Sequence, residues 1–281
     1  MLLELFLASS RGVLRGLGAR REIVEIEGYR VVTWTLGPEG GEPWLLLHGL
    51  GSTAVSWAPV LRALRRECRC VVPELSALGG TAGPTAGLDV GTGARVAAAL
   101  AERLLPGRRP TVAGLSLGGW MAVRLGLERP ELPARLLIID GGGYLDQDWE
   151  RIERTVRVDS TAGVERLYDA LFVRTPWTLR ACKRTFLRAY GSTAVREVLD
   201  ALDASDAFDD EALASLRVPT GLIWAEGDGL FRLEAGEAMA RALPCSRLWT
   251  VPACGHAIQW ERPGGLVERL RTFRSTFGEA G

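Results

Sequence analysis

Short apolar runs alternate with stretches of helical spacing along most of this chain, and that order limits the fold more than any single motif does. "REIVEIEG" and "YRVVTWTL" alternate apolar and polar residues and meet at Gly28, which reads as an antiparallel hairpin. "PWLLLHG", "CRCVVPE", "PTVAGLS", "ARLLIIDGG", "VPTGLIWAEGD" and "SRLWTVPACGH" are near-continuous apolar runs, the pattern of strands buried on both faces. Helical spacing fills the intervals. It runs from about Val55 to Arg66, over residues 89–105 with Val96, Leu100 and Leu104 on one side, and through "LGGWMAVRLGLERP". A helix is also expected between the last two strands and another after them. This order implies an α/β fold: a mostly parallel, eight-stranded sheet flanked by helices on both faces.

One segment breaks the alternation. Residues 142–215 carry no strand pattern. Val164, Leu167, Tyr168, Leu171 and Phe172 recur at helical spacing, as do Leu179, Cys182, Phe186 and Tyr190, then Val195, Val198, Leu199 and Leu202. The segment reads as a helical cap inserted between two strands, since so long an interruption is usually functional. The expected division is an amphipathic helix in residues 1–21, a core formed by 22–141 and 216–281, and a cap over 142–215. In the leading helix Leu2, Leu3, Phe6, Leu7, Val13, Leu14 and Leu17 fall in one stripe, with Arg11 and Arg15 off it. Such a helix packs on its own domain or rests on lipid. It has no basic leader and is too short to span a bilayer.

Composition narrows the partners. Lys plus Arg and Asp plus Glu both number 34, and no basic run stands out, so nucleic acid is not an expected partner. Two histidines and five scattered cysteines offer no structural metal site, and an odd thiol count suits a reducing cytosol. Cys68 and Cys70 are expected on opposite faces of their strand. The expected location is cytoplasmic, with residues 2–17 as the candidate contact to a membrane.

In open parallel sheets, active sites lie beyond the carboxyl ends of the strands. His48, Ser116, Asp140, Asp228 and His256 each follow one of the apolar runs. Ser116 stands in Gly-Leu-Ser-Leu-Gly between a strand and a helix, a tight elbow that lifts a hydroxyl off the sheet. A serine becomes a useful nucleophile only when a base takes its proton. His256, in a loop after the last strand, is the expected base; His48 reads as a buried imidazole bonded to backbone. The imidazole needs a carboxylate. Asp228 is the expected acid and Asp140 the alternative. Leu117 N–H and Leu50 N–H, the latter in "HGLGST", are the expected oxyanion donors.

"LLLHGLGSTAVSW", "VAGLSLGGWMAVRLGLERP", "LIWAEGDGLF" and "VPACGHAIQWERP" resemble, in order and spacing, four blocks of the α/β-hydrolase superfamily. The resemblance is to its serine carboxylesterase and lipase members, of the monoacylglycerol-lipase type. It implies a Ser116, Asp228, His256 triad, a helical cap, no cofactor, no metal, and a small-molecule ester substrate with a hydrophobic short-to-medium acyl chain. Three positions depart from the pattern: Glu74 stands where relatives often have aspartate, and Leu115 and Ala225 replace other common residues. A serine at the elbow argues against the dehalogenase and epoxide-opening branches, which use aspartate. A C–C bond hydrolase or an acyltransferase would keep the same triad, and Arg174, Arg180 and Arg188 could bind an acidic diketone. A ligand-binding protein that kept the fold is the non-enzymatic alternative.

Overall fold

The computed structural model describes residues 2–278, with side chains from Ala8 onward except at Ala204. Eight strands form one sheet in the order β1-β2-β4-β3-β5-β6-β7-β8. They are β1 (Arg20–Ile26), β2 (Tyr29–Leu36), β3 (Glu42–Leu47), β4 (Cys68–Pro73), β5 (Thr111–Leu115), β6 (Arg135–Ile139), β7 (Thr220–Ala225) and β8 (Ser246–Val251). β1 and β2 form the expected hairpin and β2 runs antiparallel to β4; the remaining pairs are parallel.

Helices α1 (Leu2–Gly16), α2 (Ala58–Leu64), α3 (Val90–Leu104) and α4 (Leu117–Glu128) precede the long insertion. The insertion holds α5 (Trp149–Val156), α6 (Thr161–Leu171), α7 (Trp177–Ala181), α8 (Lys183–Tyr190), α9 (Thr193–Ala201) and α10 (Asp210–Ser215). α11 (Leu233–Ala242), α12 (Ile258–Glu261) and α13 (Pro263–Phe277) complete the chain. Among the described residues, no helix is long and apolar enough to cross a membrane.

The apolar runs are continuous because both faces of the sheet are covered. Leu45, Leu47, Leu136 and Ile138 point into one core with α3, α4, α11 and the insertion, while Trp44, Leu46, Leu137 and Ile139 point into the other with α2 and α13. Cys68 and Cys70 correct one expectation. Residues two apart on a strand share a face, and both thiols lie in the second core, unpaired. α1 correspondingly buries Leu14 against that core and Leu17, just after the helix, is half-buried there, but Val13 faces solvent. The stripe's Leu2, Leu3, Phe6 and Leu7 lie outside the described side chains. The insertion differs from its sequence pattern in two ways: Cys182 separates α7 from α8 within the expected single helix, and α5 and α10 are helices that no stripe announced.

Charge is buried at the amino ends of the strands. Glu42 on β3 accepts from Arg135 on β6, and its other oxygen accepts from Arg274 Nη2 on α13 at 2.9 Å. Arg274 also meets Glu67 at 2.7 Å, and Arg135 Nη2 donates to Thr111 Oγ1 on β5 at 2.8 Å.

Candidate active site

The carboxyl ends of β5, β6, β7 and β8 deliver Ser116, Asp140, Asp228 and His256 to one rim, as their places after the strands require. Ser116 caps α4 with φ 54° and ψ −117°, a backbone conformation that side-chain-bearing residues rarely adopt. The strain is held by neighbours. Ser116 N–H donates to Ile139 O at 2.9 Å, and Ser116 O accepts from Trp120 N–H at 3.1 Å. Two glycines make the elbow physically buildable. A Cβ at Gly114 would collide with Gly118 O, and a Cβ at Gly118 with Leu47 O. Thus the local Gly-x-Ser-x-Gly pattern is a consequence of packing a helix start directly onto β3 and β5.

His256 lies in the loop between β8 and α12 and is buried. Its Nδ1 is 2.7 Å from Asp228 Oδ2, and Phe231 packs edge-on against its ring at 5.5 Å. With Nδ1–H donating to the carboxylate, Nε2 carries the lone pair needed to accept a proton. Asp228 is itself oriented: its Oδ1 accepts from Leu230 N–H at 2.7 Å and Phe231 N–H at 2.9 Å. Among the described residues no hydrogen bond joins Ser116 Oγ to His256. Such contacts commonly tighten only when substrate binds.

Asp140 is buried beside this pair. Its Oδ1 accepts from Ala225 N–H at 2.8 Å and its Oδ2 has no partner. Burial, and then the neighbouring Asp228 charge, hold its carboxyl well above the usual carboxylate range. Asp140 therefore resides at the site, but the hydrogen bond to the imidazole belongs to Asp228. Asp140, Asp228 and His256 offer donor atoms within 4.8 Å of one another. Asp228 Oδ1 and Asp140 Oδ1 are engaged by backbone amides, and His256 Nδ1 by Asp228.

The loop after β3 approaches the elbow closely: a Cβ at Gly49 would stand 3.1 Å from Ser116 Cβ. Neither Leu50 N–H nor Leu117 N–H has an acceptor among the described residues. Unpaired backbone donors in so enclosed a place are uncommon and call for a ligand. Leu50 and Leu117 also line a narrow crevice with Leu75, Leu88, Val195 and Val198, the last two from α9. His48 takes the plain role expected of it. Burial lowers its pKa to about 4, Nδ1 lies 2.9 Å from Gly49 O, and Nε2 accepts from Leu75 N–H at 2.9 Å.

Sequence reasoning missed what holds the acid and base loops. Gly229 N–H donates to Ala170 O at 3.1 Å, and Ala257 N–H to Leu171 O at 2.9 Å. Both carbonyls belong to the last turn of α6, where helix geometry leaves them unpaired. The insertion thus steadies Asp228 and His256 from above. Carbonyl partners leave no mark in side-chain identity, so no sequence signal could have found them.

A model of the Alpha/beta hydrolase family matches residues 44–269. Pimeloyl-[acyl-carrier protein] methyl ester esterase of Aromatoleum aromaticum is 30% identical over 239 residues, 76% of this chain and 90% of that protein. Lipase 1 of Psychrobacter immobilis is 21% identical over 263 residues, covering 88% and 81%. Among solved structures, a bacterial membrane phospholipase A superposes with a TM-score of 0.83 at 26% identity, over 98% of this chain and 92% of that one.

Proposed function

Because the chain belongs to the Alpha/beta hydrolase family, we propose that it is a serine carboxylesterase acting on esters with hydrophobic short-to-medium acyl chains. The observation that carries the reading is the 2.7 Å His256–Asp228 hydrogen bond on the same rim as the strained Ser116 elbow. Ser116 Oγ attacks the ester carbonyl carbon while His256 Nε2 takes its proton. Asp228 orients the imidazole and stabilises its charged form. Leu50 and Leu117 N–H groups receive the oxyanion, where preorganised donors lower the barrier most. The tetrahedral intermediate then expels the alcohol, which takes the proton from Nε2, and leaves an acyl-Ser116. Water repeats the sequence and frees the acid. No step requires a cofactor or metal.

The apolar crevice beside Leu50 and Leu117 suits the acyl chain. The arginines that an acidic diketone would need, Arg174, Arg180 and Arg188, are all exposed, and none lines the crevice beside Leu50 and Leu117. This favours an ester over a C–C bond substrate. In the same proposal residues 1–21 are the leading segment, whose described part holds α1 and the start of β1 rather than helix throughout, 22–141 with 216–281 are the core, 142–215 the cap, and residues 2–17 a peripheral contact to lipid.

A panel of p-nitrophenyl esters and a fluorophosphonate probe test the reading together. Turnover should rise from acetate to butyrate or hexanoate and then fall, with label on Ser116 alone. Label on another serine, or preference for an acidic diketone over every ester, would overturn it.

A further inference from the structure

Glu74 is a buried acid that the mechanism leaves unused, and it is one of the chain's departures from its family's pattern. It follows β4 directly, is 4% exposed, and its two oxygens are separately engaged. Oε1 accepts from Trp34 Nε1 on β2 and Oε2 from Ala54 N–H, each at 3.0 Å. Ala54 opens a 3₁₀ turn (Ala54–Trp57), whose expected capping side chain, Thr53, makes no capping bond and leaves its Oγ1 without a partner. Glu74 therefore caps that turn from across the sheet. One residue further on, Leu75 N–H donates to His48 Nε2 at 2.9 Å.

The loop carrying Leu50 is strung between these two bonds. Its first residue, His48, is tied to Leu75, and its last, Ala54, is tied to Glu74. Between them the bonds are local to the loop and the turn it enters: Ser52 N–H reaches Gly49 O at 3.3 Å, and Thr53 O accepts from Ser56 N–H at 3.0 Å. We infer that Glu74 is the positioning residue of the oxyanion loop: by holding Ala54 N–H against the Trp34 anchor, its carboxylate sets where Leu50 N–H points. The inference rests on the ester-hydrolase reading for its kinetic consequence and on geometry alone for its structural one.

The surroundings set the pH at which this carboxyl ionises. Arg11 of α1 and Arg21 of β1 are the cations facing it, and His48 Nε2 lies 3.7 Å away but is engaged as an acceptor. Burial raises the Glu74 pKa to about 7, against the pull of both hydrogen bonds and both arginines. Because the folded value lies above the ordinary one, the native state binds this proton more tightly than the unfolded chain does. Folding stability from this group is therefore present at low pH and lost as pH rises from about 4.5 to about 7. Activity runs the other way, since protonation removes an acceptor from Ala54 or Trp34.

Glu74→Gln, Trp34→Phe and the double variant test the inference. An amide has one acceptor oxygen, so in Glu74→Gln either Ala54 or Trp34 faces an NH₂ group. kcat for p-nitrophenyl butyrate should fall about 10²-fold, the scale of one misplaced oxyanion donor, with KM nearly unchanged. The acid limb of the kcat–pH profile should become shallower, from two ionisations to one. Trp34→Phe in the Glu74→Gln background frees the amide oxygen for Ala54 and should recover at least about tenfold of the loss. Amide hydrogen exchange over residues 49–54 should quicken in Glu74→Gln and slow again in the double variant. Unchanged kcat and pH slope, or a loss the second substitution deepens, would overturn the inference. So would unchanged loop exchange, even if the wild type turned over no ester; absence of ester turnover with the exchange changes intact would instead count against the esterase reading. Melting curves on the same samples, including loss of the pH-dependent stability between about 4.5 and 7 in Glu74→Gln, separate positioning from failure to fold.

Discussion

The two rims of the sheet both bury charged groups, but only one of them balances its charges. At the amino rim Glu42 and Glu67 face Arg135 and Arg274, acid against base across β3, β6 and α13. At the carboxyl rim Asp140, Asp228 and Glu74 are buried with no Lys or Arg within 4 Å among the described residues; His256 and His48 stand beside them, and Arg11 and Arg21 act on Glu74 only from farther off. Paired charge at the first rim ties strands to a helix. At the second, burial raises the proton affinity of Glu74, and burial and then the neighbouring Asp228 charge raise that of Asp140. The second rim is also where, among the described residues, the Leu50 and Leu117 N–H groups have no acceptor.

The sharpest break of this comparison is Ser116→Ala. It should lower kcat by about 10⁶ while leaving the melting temperature nearly unchanged, as expected for a group that reacts rather than supports. Full activity in the variant would end the assignment of chemistry to this rim. Next in size is the pair of acids. Asp228→Asn should lower kcat by about 10⁴, whereas Asp140→Asn should keep most activity, because only Asp228 bonds the imidazole. If the Asp140 variant is the inactive one, the roles are reversed.

The amino rim should fail differently. Arg135→Met leaves Glu42 buried with one cation fewer and should cost about 3–5 kcal/mol of stability in denaturant titrations, with kcat of the folded fraction unchanged. A matching loss of kcat would mean that the rims are coupled through the sheet. The smallest effect concerns the crevice. Each methylene added to the acyl chain should raise kcat/KM by up to about fourfold until the space is filled, at ~0.8 kcal/mol per buried CH₂. Val198→Ala should move that optimum to a longer chain. An unmoved optimum would place the acyl chain elsewhere.

Sequence reading reached the second rim more fully than the first, for a physical reason. Ser116, Asp228 and His256 each follow a strand, and the end of a strand is visible as the end of an apolar run. The elbow is local, so five consecutive residues carry its whole geometry. Glu42, Arg135 and Arg274 are brought together only by folding, and nothing in their spacing relates them. Asp140 and Asp228 could be ranked but not resolved, because both stand at strand ends and the hydrogen bond to His256 depends on how one loop turns. In the insertion the helical stripes were readable, yet the break at Cys182 was not, since the apolar repeat runs straight across it. The use of α6 carbonyls to steady the two loops lies beyond side-chain patterns altogether.

The nearness of Asp140 to Asp228 and His256, all within 4.8 Å, bears on how such a site can change over generations. An acid that must move from one strand to the next would ordinarily pass through a dead intermediate, and selection would remove it. Here a second carboxyl already stands at the neighbouring strand end. If Asp228 is the acid of the proposed triad, a lineage losing it would keep a second carboxyl close to the imidazole, and the lost Asp228 charge would remove one cause of that carboxyl's high proton affinity, burial being the larger. The duplication makes the position of the acid open to drift while the serine and histidine stay fixed.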